Sequence, residues 1–359
     1  MAEKRLAICF VFSYVAAAFG QSVQVEADLL LQRAEKTAVY SSTEASFPYH
    51  ERVTFTLSST PGKMKGRFLK DYLSHELWRE RYELGEYLRV GVRNGKQMGE
   101  FRSDAFQPIV LDRVRNTLLP VAIRVKDGDK VGKIKNATVN GMKARCIEYQ
   151  TTHGSTHEED EICLNLIDGT PLRRRQHKTL NISISKIGLV ETEWSDYTSF
   201  RDKHYPRHIV VKCGDARIIE AEVGFTGGTD LVPATFSIPS NFESRRACDQ
   251  VSPPKRIQGR VPDNPSGNGK VVFVGGMLVQ ARIGVDGKVQ DAQGIWNPAY
   301  ATQPGPAPPL AGKGMTKAVT DEQKPFVDAV KQWTFELATC DGVPIVENIL
   351  IPFNADFLF

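Results

Sequence analysis

The chain has 359 residues, 41% of them hydrophobic and 25% charged, with a formal net charge of +4 at pH 7. A chain of this length and composition buries real cores, has room for two domains of ordinary size, and is excluded from the disordered and fibrous classes. The small positive excess has acids and bases interleaved, so it gives little reason for a polyanionic partner, and no nucleic acid is expected.

Lys4 and Arg5 open a charged stretch, followed by the apolar run "LAICFVFSYVAAAFG" (6–20), which ends in small residues. That is the pattern of a secretory signal, with cleavage after Gly20 (Ala18 at the −3 position) or after Ala18. The run is shorter than the about 20 residues a spanning helix needs. An uncleaved anchor is the alternative reading; the mature protein is expected to be soluble and exported. Residues 24–40 place Leu29, Leu30, Ala34 and Ala38 at helical spacing. From Tyr49 to about Ile238 the pattern alternates as strands do, with Gly, Asn and Asp turns such as Asn94-Gly95. One segment, "PIVLDRVRNTLLP" (108–120), reads as a short helix. Residues 24–240 are therefore predicted to be one long antiparallel β domain carrying a few helices.

Residues 241–265 are rich in Pro, Ser, Asn and Gly and read as an extended linker with little regular structure. A hairpin follows in "GMLVQARIGVDGKVQDAQGIW" (276–296), where two alternating runs flank Asp286-Gly287. After a Pro/Gly/Ala-rich loop (297–322), "EQKPFVDAVKQWTFEL" predicts a helix with Phe326, Val330 and Trp333 on one face. The closing strand is "IVENILIPFNADF". These last elements make a second domain over 266–359, a small three-stranded sheet whose apolar face the helix covers. The fold class expected for the whole chain is α+β.

Five cysteines lie beyond residue 20, as suits an oxidising compartment. Pairing the strands around "HGSTHEEDE" centres the turn between Gly154 and Ser155 and sets Cys146 opposite Cys163. Cys248 and Cys340 flank the C-terminal region and form the next pair, which leaves Cys213 as a buried thiol. His153 and His157 could ligate zinc only on a helix, and here they read as part of a solvated acidic turn. "LRRRQHK" (172–178) reads as a solvated strand lead-in. "NAT" (136–138) and "NIS" (181–183) match glycosylation sequons that also arise by chance. "GFTGGT" lacks the strand–loop–helix setting of a phosphate cradle, and no nucleophile elbow or Cys/His constellation is present. No catalytic residue, metal ligand or cofactor is expected.

The hairpin at 276–296, "PFVDAVKQWTFELATCDGVPI" and "VENILIPFNADF" together resemble the C-terminal domain of the TonB energy-transducer family, over residues ~255–359. The resemblance implies a binding role in the periplasm of a Gram-negative bacterium. An extended segment of an envelope protein, such as a TonB-dependent outer-membrane receptor, would add as a strand to the sheet edge. The edge implied is Val346, Glu347, Asn348, Ile349, Leu350, Ile351 and Phe353, with Pro352 lacking an N–H as an edge or strand end tolerates. Two departures stand out: Asp-Asn-Pro at 263–265 replaces the usual Tyr-Pro, and the 297–322 insertion is atypical. Energy-transducing members also carry an N-terminal anchor, whereas a signal-like segment stands here. Residues 24–240, through "LWRERYELGEYLRVGVRNGKQMGEFRSDAFQP", resemble the periplasmic lipoprotein carriers of the LolA/LolB type. That resemblance implies an antiparallel half-barrel curled around a helix. Two functions follow: a non-catalytic envelope protein acting by strand addition, or a carrier of lipid or lipoprotein acyl chains in an apolar pocket.

Overall fold

A computed structural model of the chain describes residues 23–38, 47–59, 62–108, 111, 114, 115, 118, 130–153, 156–178, 188–248, 250–260, 277–296 and 324–353. The signal-like segment, the Gly154–Ser155 turn, the Asn181 sequon and the 297–322 loop lie outside these residues. In chain order the first elements are helix α1 (23–38) and five strands: β1 (Tyr49–Ser59), β2 (Gly62–Ser74), β3 (Leu77–Leu84), β4 (Tyr87–Asn94) and β5 (Gln97–Arg102). Residues 111, 114, 115 and 118 are helical, with Leu111, Val114 and Leu118 buried at i, i+3 and i+7. Seven more strands follow: β6 (Lys130–Val139), β7 (Met142–His153), β8 (Thr156–Asn165), β9 (Pro171–Lys178), β10 (Gly188–Phe200), β11 (Lys203–Cys213) and β12 (Ala216–Gly227). The C-terminal third holds β13 (Glu243–Arg246), β14 (Val251–Ser252), β15 (Arg256–Gln258), β16 (Met277–Ile283), β17 (Val289–Trp296), helix α2 (Lys324–Val330), β18 (Thr334–Phe335), β19 (Thr339–Cys340), β20 (Val343–Pro344) and β21 (Glu347–Phe353).

These elements group into two compact units. The first takes the described parts of Met1–Glu44, Asn116–Lys178 and Gly188–Val223. Its strands run in the order β12-β11-β10-β9-β8-β7-β6, each paired with its sequence neighbour. Helix α1 presents Ala27, Leu31 and Ala34 to Ile147 and Tyr149 of β7 and Ile162 and Leu164 of β8, and all seven side chains are buried. The spacing 27, 31, 34 is one helical stripe, and small Ala residues let the helix backbone approach the sheet. Glu26 anchors the start of α1 by accepting from Arg145 Nε at 3.0 Å.

The second unit takes the described parts of Ala45–Arg115 and Gly224–Phe359. One of its sheets has the order β13-β5-β4-β3-β2-β1, and another has the order β17-β16-β21. The smaller sheet is antiparallel throughout, with Ala281 of β16 opposite Ala292 of β17 and Ile349 of β21. Its apolar side packs Val279, Ala281 and Ile283 with Phe326, Val327 and Val330 of α2, and with Trp333, Phe335 and Phe353. Its other side is polar and tied down: Gln280 Nε2 donates to the Gln107 carbonyl at 2.9 Å, and Arg282 meets Glu243 at 3.1 Å.

The α+β class expected from sequence is overturned: the described chain is mostly β, and β1–β13 all lie in antiparallel sheet structure. Among the described residues, helix is confined to α1, positions 111, 114, 115 and 118, a single 3-10 turn at Pro233–Phe236 and the seven residues of α2. The helix read over "EQKPFVDAVKQWTFEL" stops early, so Trp333 is not on a helical face. The chain turns through Trp333 N–H to the Val330 carbonyl at 3.0 Å, and Phe335 N–H then bonds the Gly287 carbonyl at 2.9 Å. β18 pairs with β15, so a partner remote in sequence wins these residues from the helix. The 241–265 stretch likewise holds β13, β14 and β15, paired with β5, β19 and β18. Trp333 itself is buried, donates from Nε1 to the Arg260 carbonyl at 3.0 Å and lies under the Arg256 guanidinium at 4.7 Å.

Candidate functional site

Strand pairing in the second unit builds a charged surface one rung at a time. On one side of the β1–β4 sheet, Arg52, Leu69, Arg81 and Val90 stand in register. The adjacent rung is His50, Asp71, Arg79 and Val92. Side chains two apart along a strand share a face, so these two rungs project together. They bound a cavity of about 870 Å³, which Gly224 and Thr226, at the end of β12, complete. A volume of this order suits a small organic ligand.

The charges at the cavity are unevenly paired. His50 Nδ1 lies 2.8 Å from Asp71 Oδ1, and its Nε2 lies 2.9 Å from Asp230 Oδ1. Both ring nitrogens thus face carboxylate oxygens, an arrangement only the imidazolium form satisfies with two donors. Burial pulls the His50 pKa down, but the hydrogen bonds and charges of Asp230 and Asp71 outweigh it, and the net shift is upward from 6.5. The hydrogen bond from His50 also holds Asp230 below its ordinary range. Asp71 accepts in addition from Arg79 Nη2 at 3.1 Å. Arg81 shares Glu83 with Arg67. Arg52 is exposed and has no acidic partner among the described residues.

The opposite side of the same sheet carries the rung Glu51, Lys70, Glu80, Gly91 and Glu100. Lys70 donates to Glu80 at 2.9 Å, Tyr82 donates its hydroxyl to Glu80 at 2.6 Å, and Arg89 meets Glu100 at 2.8 Å. Glu51 is the exception to this pairing. Desolvation pushes its carboxyl up to about 7 against the opposing pull of Lys70, and the nearby Glu80 charge adds to the rise. Aromatic rings frame these charges: Tyr49 stacks on Tyr72 at 5.0 Å, and Phe68 meets Tyr82 edge-on at 5.3 Å.

The residues read as functional from sequence lie elsewhere. Glu347, Asn348, Ile349, Leu350, Ile351 and Phe353 belong to β21, and Val346 precedes it. β21 ends the order β17-β16-β21, so among the described residues only one of its backbone edges is paired within that sheet. Ile349, Ile351 and Phe353 face the core, whereas Leu350 is 41% exposed. Cys146 is bonded to Cys163, its register partner across β7 and β8, and Cys248 is bonded to Cys340. The second bond sits in a small cluster with Ala338 and Ile345, just before β21. Cys213 is free and half-exposed, not buried as expected, because it ends β11 at the turn into β12. Glu161 lies beside Cys146 and Cys163, but those sulfurs are joined to each other and offer no thiolate to a metal. In "LRRRQHK", Arg173 and Arg175 are half-buried and pair with Glu161 and Glu191.

Sequence reasoning missed His50, Arg52, Asp71, Arg79, Arg81 and Asp230. The available signal was period-two charge in "YHERVTF", "FLKDYL" and "LWRERYEL", which shows each strand's charged face but not which faces join.

No family model matches the sequence, that of the TonB C-terminal domain included, and no curated protein matches it. Solved structures do. An outer-membrane lipoprotein-sorting protein domain from Vibrio parahaemolyticus is 10% identical, with 60% of this chain and 97% of that chain covered at a TM-score of 0.37. A LolA superfamily protein from Nitrosomonas europaea is 10% identical, with coverage of 58% and 96% and a TM-score of 0.34. The complex of Pseudomonas aeruginosa MucA and MucB is 11% identical, with coverage of 74% and 83% and a TM-score of 0.27.

Proposed function

We propose that this chain is an exported, non-catalytic binding protein that holds a small amphipathic ligand in the cavity beside β1–β4. The observation that carries the reading is the cavity itself: about 870 Å³ in volume, with Leu69 and Val90 between charged residues on its walls. Charged groups set beside apolar side chains are what a ligand with a head and a tail requires. A catalytic role is disfavoured by the pairing around the cavity, since both nitrogens of His50 are engaged and Asp71 is shared by His50 and Arg79. The signal-like residues 1–20 and the two disulfides fit an oxidising, extracytoplasmic compartment, which we take to be the periplasm.

A Gly224→Phe variant tests the reading. A Cβ built at Gly224 meets no atom within 4 Å, so a ring there enters open space instead of packed neighbours. Native mass spectrometry and lipid extraction should find a co-purifying amphiphile on the wild type and none on the variant. A wild type that carries no such molecule and does not bind a dansylated undecanoic acid probe would refute the carrier role.

A second reading rests on a separate feature, the outer edge of β21, where an extended segment of an envelope protein, such as a TonB-dependent receptor, would add as a strand. Cross-linking from Asn348 or Leu350 to a captured envelope protein would support it, and partner capture unaffected by Leu350→Pro would count against it.

A further inference from the structure

We infer that the head of the bound ligand is an oxyanion, a phosphate or carboxylate, seated between Arg52 and Arg81; this rests on the cavity reading above. Arg52 and Arg81 occupy one rung with Leu69 between them. Two strand spacings separate their backbones by about 10 Å, a span that two arginine side chains close around a small group. Arg79 stands on the next rung, two residues along β3 from Arg81.

The local charge leaves room for one more anion. Asp71 is engaged by His50 and Arg79, and Asp230 by His50. Glu83 is shared between Arg67 and Arg81. Glu51 also borders the cavity, but its rung, with Lys70 and Glu80, projects from the opposite side of the sheet. That leaves Arg52, exposed and without an acidic partner among the described residues, as surplus positive charge at the cavity wall. A guanidinium presents a planar fork of N–H donors that matches the two oxygens of a phosphate or carboxylate, which an ammonium does not. The apolar side chains on the same rung, Leu69 and Val90, then lie where a tail attached to that head would run. The pattern of fork, leucine, fork and valine across four strands is therefore amphipathic in the same sense as the ligand.

The test uses the full chain and three probes in isothermal titration: decyl phosphate, decanol of the same tail length, and inorganic phosphate. Wild type should bind decyl phosphate about tenfold or more tighter than decanol, the ratio expected for a charged hydrogen bond of about 1.5–3 kcal/mol. Arg52→Gln should remove most of that discrimination and leave decanol binding unchanged. Arg52→Lys, which keeps the charge but loses the fork, should fall between. Arg52 is exposed, so its variants should melt with the wild type. Equal binding of decyl phosphate and decanol by wild type, or no loss in an Arg52→Gln/Arg81→Gln double variant, would overturn the oxyanion inference and leave the cavity reading standing. Gly224→Phe that binds all probes as wild type does would overturn the cavity reading instead. Inorganic phosphate binding as tightly as decyl phosphate would support the oxyanion seat while assigning it to a free anion instead of a lipid head.

Discussion

Glu51→Gln isolates one half-buried, desolvated carboxyl from the rest of the charge on β1–β4. In the folded chain this group titrates at about 7, against 4.5 for the ordinary side chain. Between those values the unfolded chain has already released its proton while the folded chain still holds one. The folded state therefore binds more protons, and stability falls as pH rises. The loss begins near pH 4.5 and is complete above pH 7. At 1.36 kcal/mol per pH unit, the step from 4.5 to about 7 sets a ceiling of about 3 kcal/mol, and screening by water leaves about 1–2 kcal/mol. Glutamine has the shape of the protonated acid without the titration. The variant should match wild type at pH 4 and exceed it by about 1–2 kcal/mol at pH 8. Urea denaturation of both proteins across that range measures the difference, in which all other titrating groups cancel. A stability difference that does not change with pH, or a glutamine variant that is less stable at pH 8, would refute the assignment of Glu51 as a desolvated carboxyl.

His50 titrates with the opposite sense. Its pKa is raised above 6.5, so its contribution is fully present below that pH and lost as pH rises through the higher folded value. His50→Asn should destabilise at pH 6 and much less at pH 9, by under about 1 kcal/mol since the pair is partly exposed; an NMR titration with a midpoint at or below 6.5 would contradict the clip. Replacing both Cys248 and Cys340 by Ser opens a separation of 92 residues and should cost about 4.6 kcal/mol in thermal unfolding. The Cys146–Cys163 bond closes 17 residues, and removing it should cost about 3 kcal/mol. Equal losses of under 1 kcal/mol for both would argue against the loop-entropy account. Trp333→Ala should cost about 3–5 kcal/mol in urea, because the ring is buried among Phe335 and Phe353 and caps the Arg260 carbonyl. Trp333→Phe should lose distinctly less.

Local pattern carried some features of this fold into plain view and hid others. The cross-strand pair Cys146 and Cys163 followed from one hairpin, because a turn between Gly154 and Ser155 dictates every opposite residue along its two strands. The stripe of Ala27, Leu31 and Ala34 was similarly contained in a single helix. Trp333 was misplaced because Phe326, Val330 and Trp333 fit a helical spacing until Thr334 and Phe335 pair with Arg256–Gln258. That competition involves residues about 80 apart, and a window of periodicity does not see it. The short strands within 241–265 escaped for the same reason, since their partners are β5, β18 and β19. The cavity was the least readable. Arg52, Leu69 and Arg81 become neighbours only through the registers of two successive hairpins, and a slip of one residue would turn them to the other face. Desolvation of Glu51 is likewise invisible in sequence, because it depends on what stacks around the strand.

The order β17-β16-β21 has a consequence for synthesis. β16 meets β17 within a few residues, but its other neighbour is the last described strand of the chain. A growing polypeptide therefore leaves the backbone groups along one flank of β16 unpaired until residues 347–353 have emerged. The sheet forms by a clasp at its far end, so a stop codon or a protease cut anywhere before Glu347 frees an apolar strand edge able to recruit a neighbouring chain. Quality control of this protein would then be concentrated in the seven residues of β21.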